Sequence, residues 1–200
     1  RKAVDLDPNM AHAHRNLGNS LMAVDKYDAS IKSHKRALSI NPNVIEYHFN
    51  LANAYQASGQ FDLAINSYNK VIEIKPDHID AHINLANTFK KKGLSNEAIS
   101  HLELVINIAP HSAEAHYNLG NIFNKTGMTE AAISKYKDTI KINPEHAEAY
   151  NNMANAYQDL NLPDKAINNY QAALNIKPEH AEAWNNLGNA QKELGLLEEA

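Results

Sequence analysis

The sequence contains no cysteine, a single tryptophan, and no apolar run approaching the ~20 residues that cross a bilayer. Without cysteine, disulfide staples, thiolate nucleophiles and cysteine-based zinc sites are all excluded, an inventory that fits the cytoplasm or nucleus. The absence of a long apolar run leaves no expected membrane span, and the first residues lack the apolar core of a signal peptide. There is also no excess of positive charge. Lys+Arg number 19 against 23 Asp+Glu, a formal net charge of -4, so nucleic acid and anionic membrane are not expected partners. What remains, 44% hydrophobic and 21% charged in 200 residues, lies in the globular rather than the disordered range.

Proline is scarce, which makes its placement informative. Of seven prolines, six fall at Pro8, Pro42, Pro76, Pro110, Pro144 and Pro178, each 34 residues from the next, and only Pro163 stands outside the series. A fixed period of this length signals a repeat architecture. Counting positions from the third residue after each proline, positions 4, 7, 8 and 11 are mostly apolar or small, as in His48, Leu51, Ala52 and Tyr55, or Tyr150, Met153, Ala154 and Tyr157. That is helical spacing, and it predicts a helix A in every unit. Position 15 reads Asp25, Gly59, Gly93, Gly127, Asn161 and Gly195. These residue types best tolerate the left-handed backbone that ends a helix. A second apolar set at positions 20, 21, 24, 27 and 28, such as Ala64, Ile65, Tyr68, Val71 and Ile72, predicts a helix B that the proline at position 32 closes. Pro163 falls near the start of one helix B, where its missing N–H breaks no bond. Small residues at position 8 (Gly18, Ala52, Ala86, Gly120, Ala154, Gly188) and position 20 (Ser30, Ala64, Ala98, Ala132, Ala166, Ala200) predict close approach of A and B.

The order large, Leu, Gly/Ala, aromatic, Ala, aromatic, Ala, Pro at this spacing resembles the tetratricopeptide repeat. The resemblance implies an all-α, right-handed superhelical solenoid of antiparallel helix pairs. Residues 1–10 then end a preceding repeat, full repeats span 11–44, 45–78, 79–112, 113–146 and 147–180, and 181–200 is a partial sixth. Both ends cut through repeats and no polar capping unit is evident, as expected of a piece of a longer array. The family's position-4 Trp occurs only as Trp184, with His14, His48, His82, His116 and Tyr150 elsewhere.

In this family helix A lines the concave face, so its residues not spent on packing are the candidates for ligand contact. Position 6 is Asn16, Asn50, Asn84, Asn118, Asn152 and Asn186; position 9 is Asn19, Asn53, Asn87, Asn121, Asn155 and Asn189. Three residues apart, the two rows share one helix face. Asparagine is a middling helix former, so its recurrence at twelve interior positions calls for a cause. Its carboxamide both donates and accepts, as does a peptide main chain, so a ladder of amides could grip an extended strand without reading its side chains. The competing reading ties neighbouring repeats together through the same amides. The Asn-Leu-Gly/Ala-Asn run resembles the repeat array of O-linked N-acetylglucosamine transferase, and that resemblance implies peptide contact for the position-6 row.

Position 2 carries His12, then the acids Glu46, Asp80, Glu114, Glu148 and Glu182. Acids in a first turn complement the helix dipole; in a groove they would favour basic or hydroxyl-bearing peptides. Position 5 runs from Arg15 through Phe49, Ile83 and Tyr117 to Asn151 and Asn185, which offers apolar pockets if it reaches the groove. A carboxylate clamp of the chaperone-binding type fails, because Asp80 and Asn84 stand where the resemblance requires cations. The position-4 histidines, one repeat and on the order of 10 Å apart, are too distant to share a zinc ion and read as packing residues in place of Trp. No phosphate loop, nucleophile elbow or metalloprotease motif is present, so no catalytic residue, metal or cofactor is expected. The expected function is a protein–protein interaction scaffold holding an extended peptide through an asparagine ladder. The alternatives are the substrate-recognition arm of an O-GlcNAc-type glycosyltransferase and a structural, self-associating spacer.

Overall fold

The computed structural model describes residues 10–195, which form eleven α-helices and, among the described residues, no strand. In chain order they are α1 (Ala11–Met22), α2 (Tyr27–Ile40), α3 (Ile45–Ala57), α4 (Phe61–Ile74), α5 (Ile79–Lys92), α6 (Ser95–Ile108), α7 (Ala113–Lys125), α8 (Thr129–Ile142), α9 (Ala147–Asp159), α10 (Pro163–Ile176) and α11 (Ala181–Glu193). Every odd-numbered helix begins at position 1 of its unit, and every even-numbered one begins at position 17 and ends at position 30. Of the expected end of a preceding repeat at 1–10, residues 1–9 lie outside the described residues, as does the start of a helix B after residue 195.

Local chemistry sets these boundaries. Position 15 has positive φ in all six units, from 56° at Asp25 and Asn161 to 79° at Gly93 and Gly127. The left-handed residue turns the chain out of helix A at the foreseen place. Helix B stops at position 30 because position 31 precedes proline, and the proline ring excludes the residue before it from helical conformation. Accordingly Asn41, Lys75, Asn143 and Lys177 are extended, with φ of -131°, -134°, -128° and -132°. Helix A restarts under a cap at position 34: the side chains of His78, Ser112, His146 and His180 accept from the backbone N–H of Ala81, Ala115, Ala149 and Ala183. Three of these caps use a histidine Nδ1 in the role that serine or aspartate usually takes.

The chain divides into two compact units, one ending at His101 and the other starting at Leu102, within α6. In the first unit α1 to α4 pack in sequence, α4 packs on α5, and the A helix α3 also touches the A helices α1 and α5. Its core centres on Leu51, Tyr55, Tyr68, Val71 and Leu85. In the second unit α7 to α11 pack in sequence, with α7 against α9 and α9 against α11. There the core centres on Tyr136, Met153, Tyr157, Tyr170, Leu174 and Leu187.

The small residues sit where A and B come closest. Ala64, Ala98, Ala132 and Ala166 at position 20 are wholly buried. Ser30, also wholly buried, donates to the Gly18 carbonyl at 2.8 Å. A Cβ on Gly18 would stand 2.5 Å from the His34 ring, and one on Gly120 would stand 2.7 Å from Tyr136. At these two positions the glycine is required by the ring lying over it, not by backbone conformation.

Candidate binding face on the A helices

The two asparagine rows are joined to each other from one repeat to the next. In the first unit Asn53 Oδ1 accepts from the Tyr68 hydroxyl at 2.6 Å and from Asn84 Nδ2 at 3.2 Å. In the second, Asn121 Oδ1 accepts from the Tyr136 hydroxyl at 2.9 Å and from Asn152 Nδ2 at 2.9 Å. One repeat further, Asn155 Oδ1 accepts from the Tyr170 hydroxyl at 2.5 Å and from Asn186 Nδ2 at 3.1 Å. The pattern is therefore a three-residue joint: position 9 of helix A, position 24 of the helix B behind it, and position 6 of the next helix A. Burial raises the pKa of all three tyrosines, so their hydroxyls stay protonated and act as donors.

This joint divides the work of the amides. At Asn53, Asn121 and Asn155 the carbonyl oxygen is taken by two donors, and the position-9 side chain serves the seam between repeats. At Asn84, Asn152 and Asn186 of position 6 the N–H side is turned to the preceding repeat. Asn152 goes furthest, since its Nδ2 donates to both Asn121 Oδ1 and the Tyr117 hydroxyl at 3.1 Å, which uses both of its hydrogens. The oxygens of Asn84 and Asn186 carry no hydrogen bond among the described residues, and both residues are half-buried. Asn16 differs: the Arg15 guanidinium, at 3.0 Å, holds its Oδ1. Asn50 makes no side-chain hydrogen bond among the described residues and borders a surface hollow with Asn19, Met22 and Asn53. Asn118 is buried, Asn87 is half-buried, and Asn189 is exposed. Sequence reasoning found both rows but missed the tyrosine. The signal was present, in that Tyr68, Tyr136 and Tyr170 share position 24 while Leu102 and His34 break the series.

The first-turn acids lie one turn before the amides. Glu46, Asp80, Glu114 and Glu182 are exposed, and Glu148 is half-buried. Position 5 of one unit reaches position 2 of the next. Arg15 lies 3.8 Å from Glu46, and Asn151 Nδ2 donates to Glu182 Oε1 at 3.2 Å. Glu148 has its carboxyl held below the usual range by its own backbone N–H, then by Lys177 at 3.2 Å and His146. Two apolar members of position 5 lie against capping histidines: Phe49 stacks on His78 with centroids 5.3 Å apart, and Tyr117 is tilted against His146 at 4.6 Å. They brace the seam as well as facing outward. Gln56 adds a further polar link, donating to the Asn84 carbonyl and to Thr88 Oγ1.

The position-4 histidines are packing residues, and three of them direct Nε2 at a backbone carbonyl. His48, His82 and His116 place Nε2 at 2.7, 2.8 and 3.1 Å from the carbonyls of Pro42, Pro76 and Pro110, and Trp184 places Nε1 at 2.8 Å from that of Pro178. A carbonyl only accepts, so each ring N–H donates. Histidine replaces tryptophan here because both present a ring N–H at this reach. With Nε2 donating, neutral His82 keeps its Nδ1 lone pair, and His101 Nδ1 supplies the proton across 2.9 Å. Burial, and then the neighbouring His82, lowers the His101 pKa. Among the described residues no group of three His, Cys, Asp or Glu is placed to hold a metal, and no helix is long and apolar enough to cross a membrane.

Stacked helix pairs joined by side-chain amides define a helical-repeat interaction protein. Tetratricopeptide-repeat family models match residues 9–77, 56–122 and 146–177, and a further TPR model matches 120–161 and 164–195. The chain belongs to the tetratricopeptide-repeat family, whose fold is an all-helical repeat solenoid and whose members typically serve as non-catalytic protein-interaction scaffolds. Among solved structures it is similar to MamA, at 26% identity over 86% of this chain and 94% of that one, with a TM-score of 0.74. It is also similar to YrrB, described as a TPR protein with an unusual peptide-binding site, at 21% identity over 92% and 95% with a TM-score of 0.70. Pseudomonas aeruginosa pilF matches at 16% identity over 93% and 85%, with a TM-score of 0.80. No curated protein matches the sequence.

Proposed function

We propose that the chain is a peptide-binding scaffold that holds an extended polypeptide segment along its A helices through the position-6 asparagines. The observation that carries this is the open oxygen of the amides whose nitrogen is already fixed. Asn84 and Asn186 are oriented by a bond to the preceding repeat and keep an acceptor with no partner among the described residues. A pre-oriented acceptor loses little rotamer freedom on binding, and each bond to a peptide N–H adds roughly 1 kcal/mol, so affinity grows with the number of rungs. The ladder on this reading offers oxygens to the strand rather than the two-sided amide grip that asparagine alone suggests. The likeness to YrrB, described as having a peptide-binding site, agrees with it.

The test compares two sets of variants on an array of immobilised 15-residue peptides of varied sequence. Asn84→Ala, Asn118→Ala and Asn152→Ala together remove rungs, and with them the bonds that Asn84 and Asn152 donate to Asn53 and Asn121. Asn53→Ala with Asn121→Ala cuts the joints and leaves the position-6 oxygens in place. Weakening across all peptide sequences with the first set, and a lowered melting temperature with smaller loss of binding in the second, is the expected result. Equal binding by the first set and the unaltered chain, with helix content retained, defeats the proposal.

A further inference from the structure

The second unit has an acceptor-rich A-helix face. Residues 102–195 carry eleven carboxylates against seven lysines and no arginine. Three of those carboxylates, Glu114, Glu148 and Glu182, occupy the same first-turn position of α7, α9 and α11. First-turn acids alone have an ordinary cause in the helix dipole. A separate observation points to a ligand. Asn151, only 2% exposed, directs its carboxamide into this row, with Nδ2 on Glu182 Oε1 at 3.2 Å and on Asn152 Oδ1 at 3.3 Å, while its own Oδ1 has no donor. A buried acceptor without a donor is costly. The neighbouring groups do not supply one: Asn152 has spent both amide hydrogens, and Lys177 is engaged by Glu148. The row thus holds surplus acceptors and lacks protons.

From this face we infer that the second unit selects an extended segment bearing a lysine or arginine at every third residue, an inference that rests on the peptide-binding reading above. The register follows from dimensions. Neighbouring A helices repeat at about 10 Å, as packed helices do. A chain in the extended polyproline-II conformation advances about 3.1 Å per residue with three residues per turn, so three residues span one repeat and bring the side chain back to the same face. A basic side chain at that interval meets Glu114, Glu148 and Glu182 in turn, and the intervening N–H groups face the position-6 oxygens. Charge-assisted bonds to these carboxylates, of which Glu148 is half-buried and Glu114 and Glu182 are exposed, are stronger than neutral ones.

The experiment uses four acetylated, amidated dodecapeptides and the 200-residue chain, with affinity read by calorimetry or fluorescence anisotropy. The probes are (Lys-Thr-Val)4, (Gln-Thr-Val)4, (Glu-Thr-Val)4 and a peptide of the first composition with its four lysines grouped at one end. Binding of (Lys-Thr-Val)4 tenfold or more tighter than the glutamine and grouped-lysine peptides is expected, with the glutamate peptide weakest. The preference should collapse in Glu114→Gln/Glu182→Gln, whose helical circular dichroism should match the parent, and shrink with added salt. Equal binding of the lysine, glutamine and glutamate peptides overturns the selectivity and leaves the peptide-binding reading standing. Tight binding of the grouped-lysine peptide overturns the three-residue register. Failure of all four to bind overturns both readings.

Discussion

Replacing His34 with tyrosine should make the protein more stable and remove much of its sensitivity to acid. His34 is wholly buried at position 24 of the first repeat, and neither ring nitrogen has a hydrogen-bond partner. Burial, with a smaller contribution from the Arg15 charge, pushes its pKa down to about 4. An unfolded chain binds a proton at this residue as pH drops below about 6.5, while the folded chain resists until about 4. The stability that the neutral ring contributes is therefore complete above about 6.5 and is lost as pH falls from there to about 4. A gap of roughly 2.5 pKa units at about 1.4 kcal/mol per unit amounts to about 3.5 kcal/mol. Tyrosine does not titrate in this range. The space suits it, because Tyr136 lies under Gly120 much as His34 lies under Gly18, and the Tyr136 hydroxyl reaches Asn121. In the variant the hydroxyl should reach Asn19, adding roughly 1 kcal/mol. Urea titrations of both proteins at pH 7.5 and pH 4.5, followed by circular dichroism, measure the effect. The two proteins differ at this residue alone, so the difference between the two acid losses isolates it. Parallel losses in the two proteins, or a His34 resonance titrating near 6.5, would refute the argument.

Two further outcomes follow from the same geometry. Gly120→Ala should cost about 1–3 kcal/mol, since its Cβ would stand 2.7 Å from the ring whose hydroxyl holds Asn121. Thermal melts should show this against Gly188→Ala, where nothing among the described residues lies within 4 Å of the new Cβ and up to about 1 kcal/mol of helix propensity is gained. Asn121→Ala should cost about 2–3 kcal/mol by leaving the Tyr136 hydroxyl and one Asn152 hydrogen without an acceptor. Asn189→Ala, at an exposed member of the same row, should change the urea midpoint little.

Helix starts, helix ends and the A–B contact were legible in the sequence because each depends on residues near in the chain. Proline excludes its predecessor from helical conformation wherever it occurs, and Asp25, Gly59 or Asn161 turns left-handed without help from a distant neighbour. The 34-residue period could be read without coordinates for the same reason: repetition copies local rules. The asparagine rows were visible too, but not what their two polar ends do. That depended on residues 31 positions apart, Asn53 with Asn84 or Asn121 with Asn152, and on a tyrosine hydroxyl arriving from the helix behind. Whether His34 is stranded while Tyr68 is satisfied was likewise a matter of where two packed helices place a ring relative to one amide. Propensity and capping act over a few residues and can be read from them; hydrogen-bond partners across a packed seam are chosen by distance in space, and only the tertiary structure supplies it.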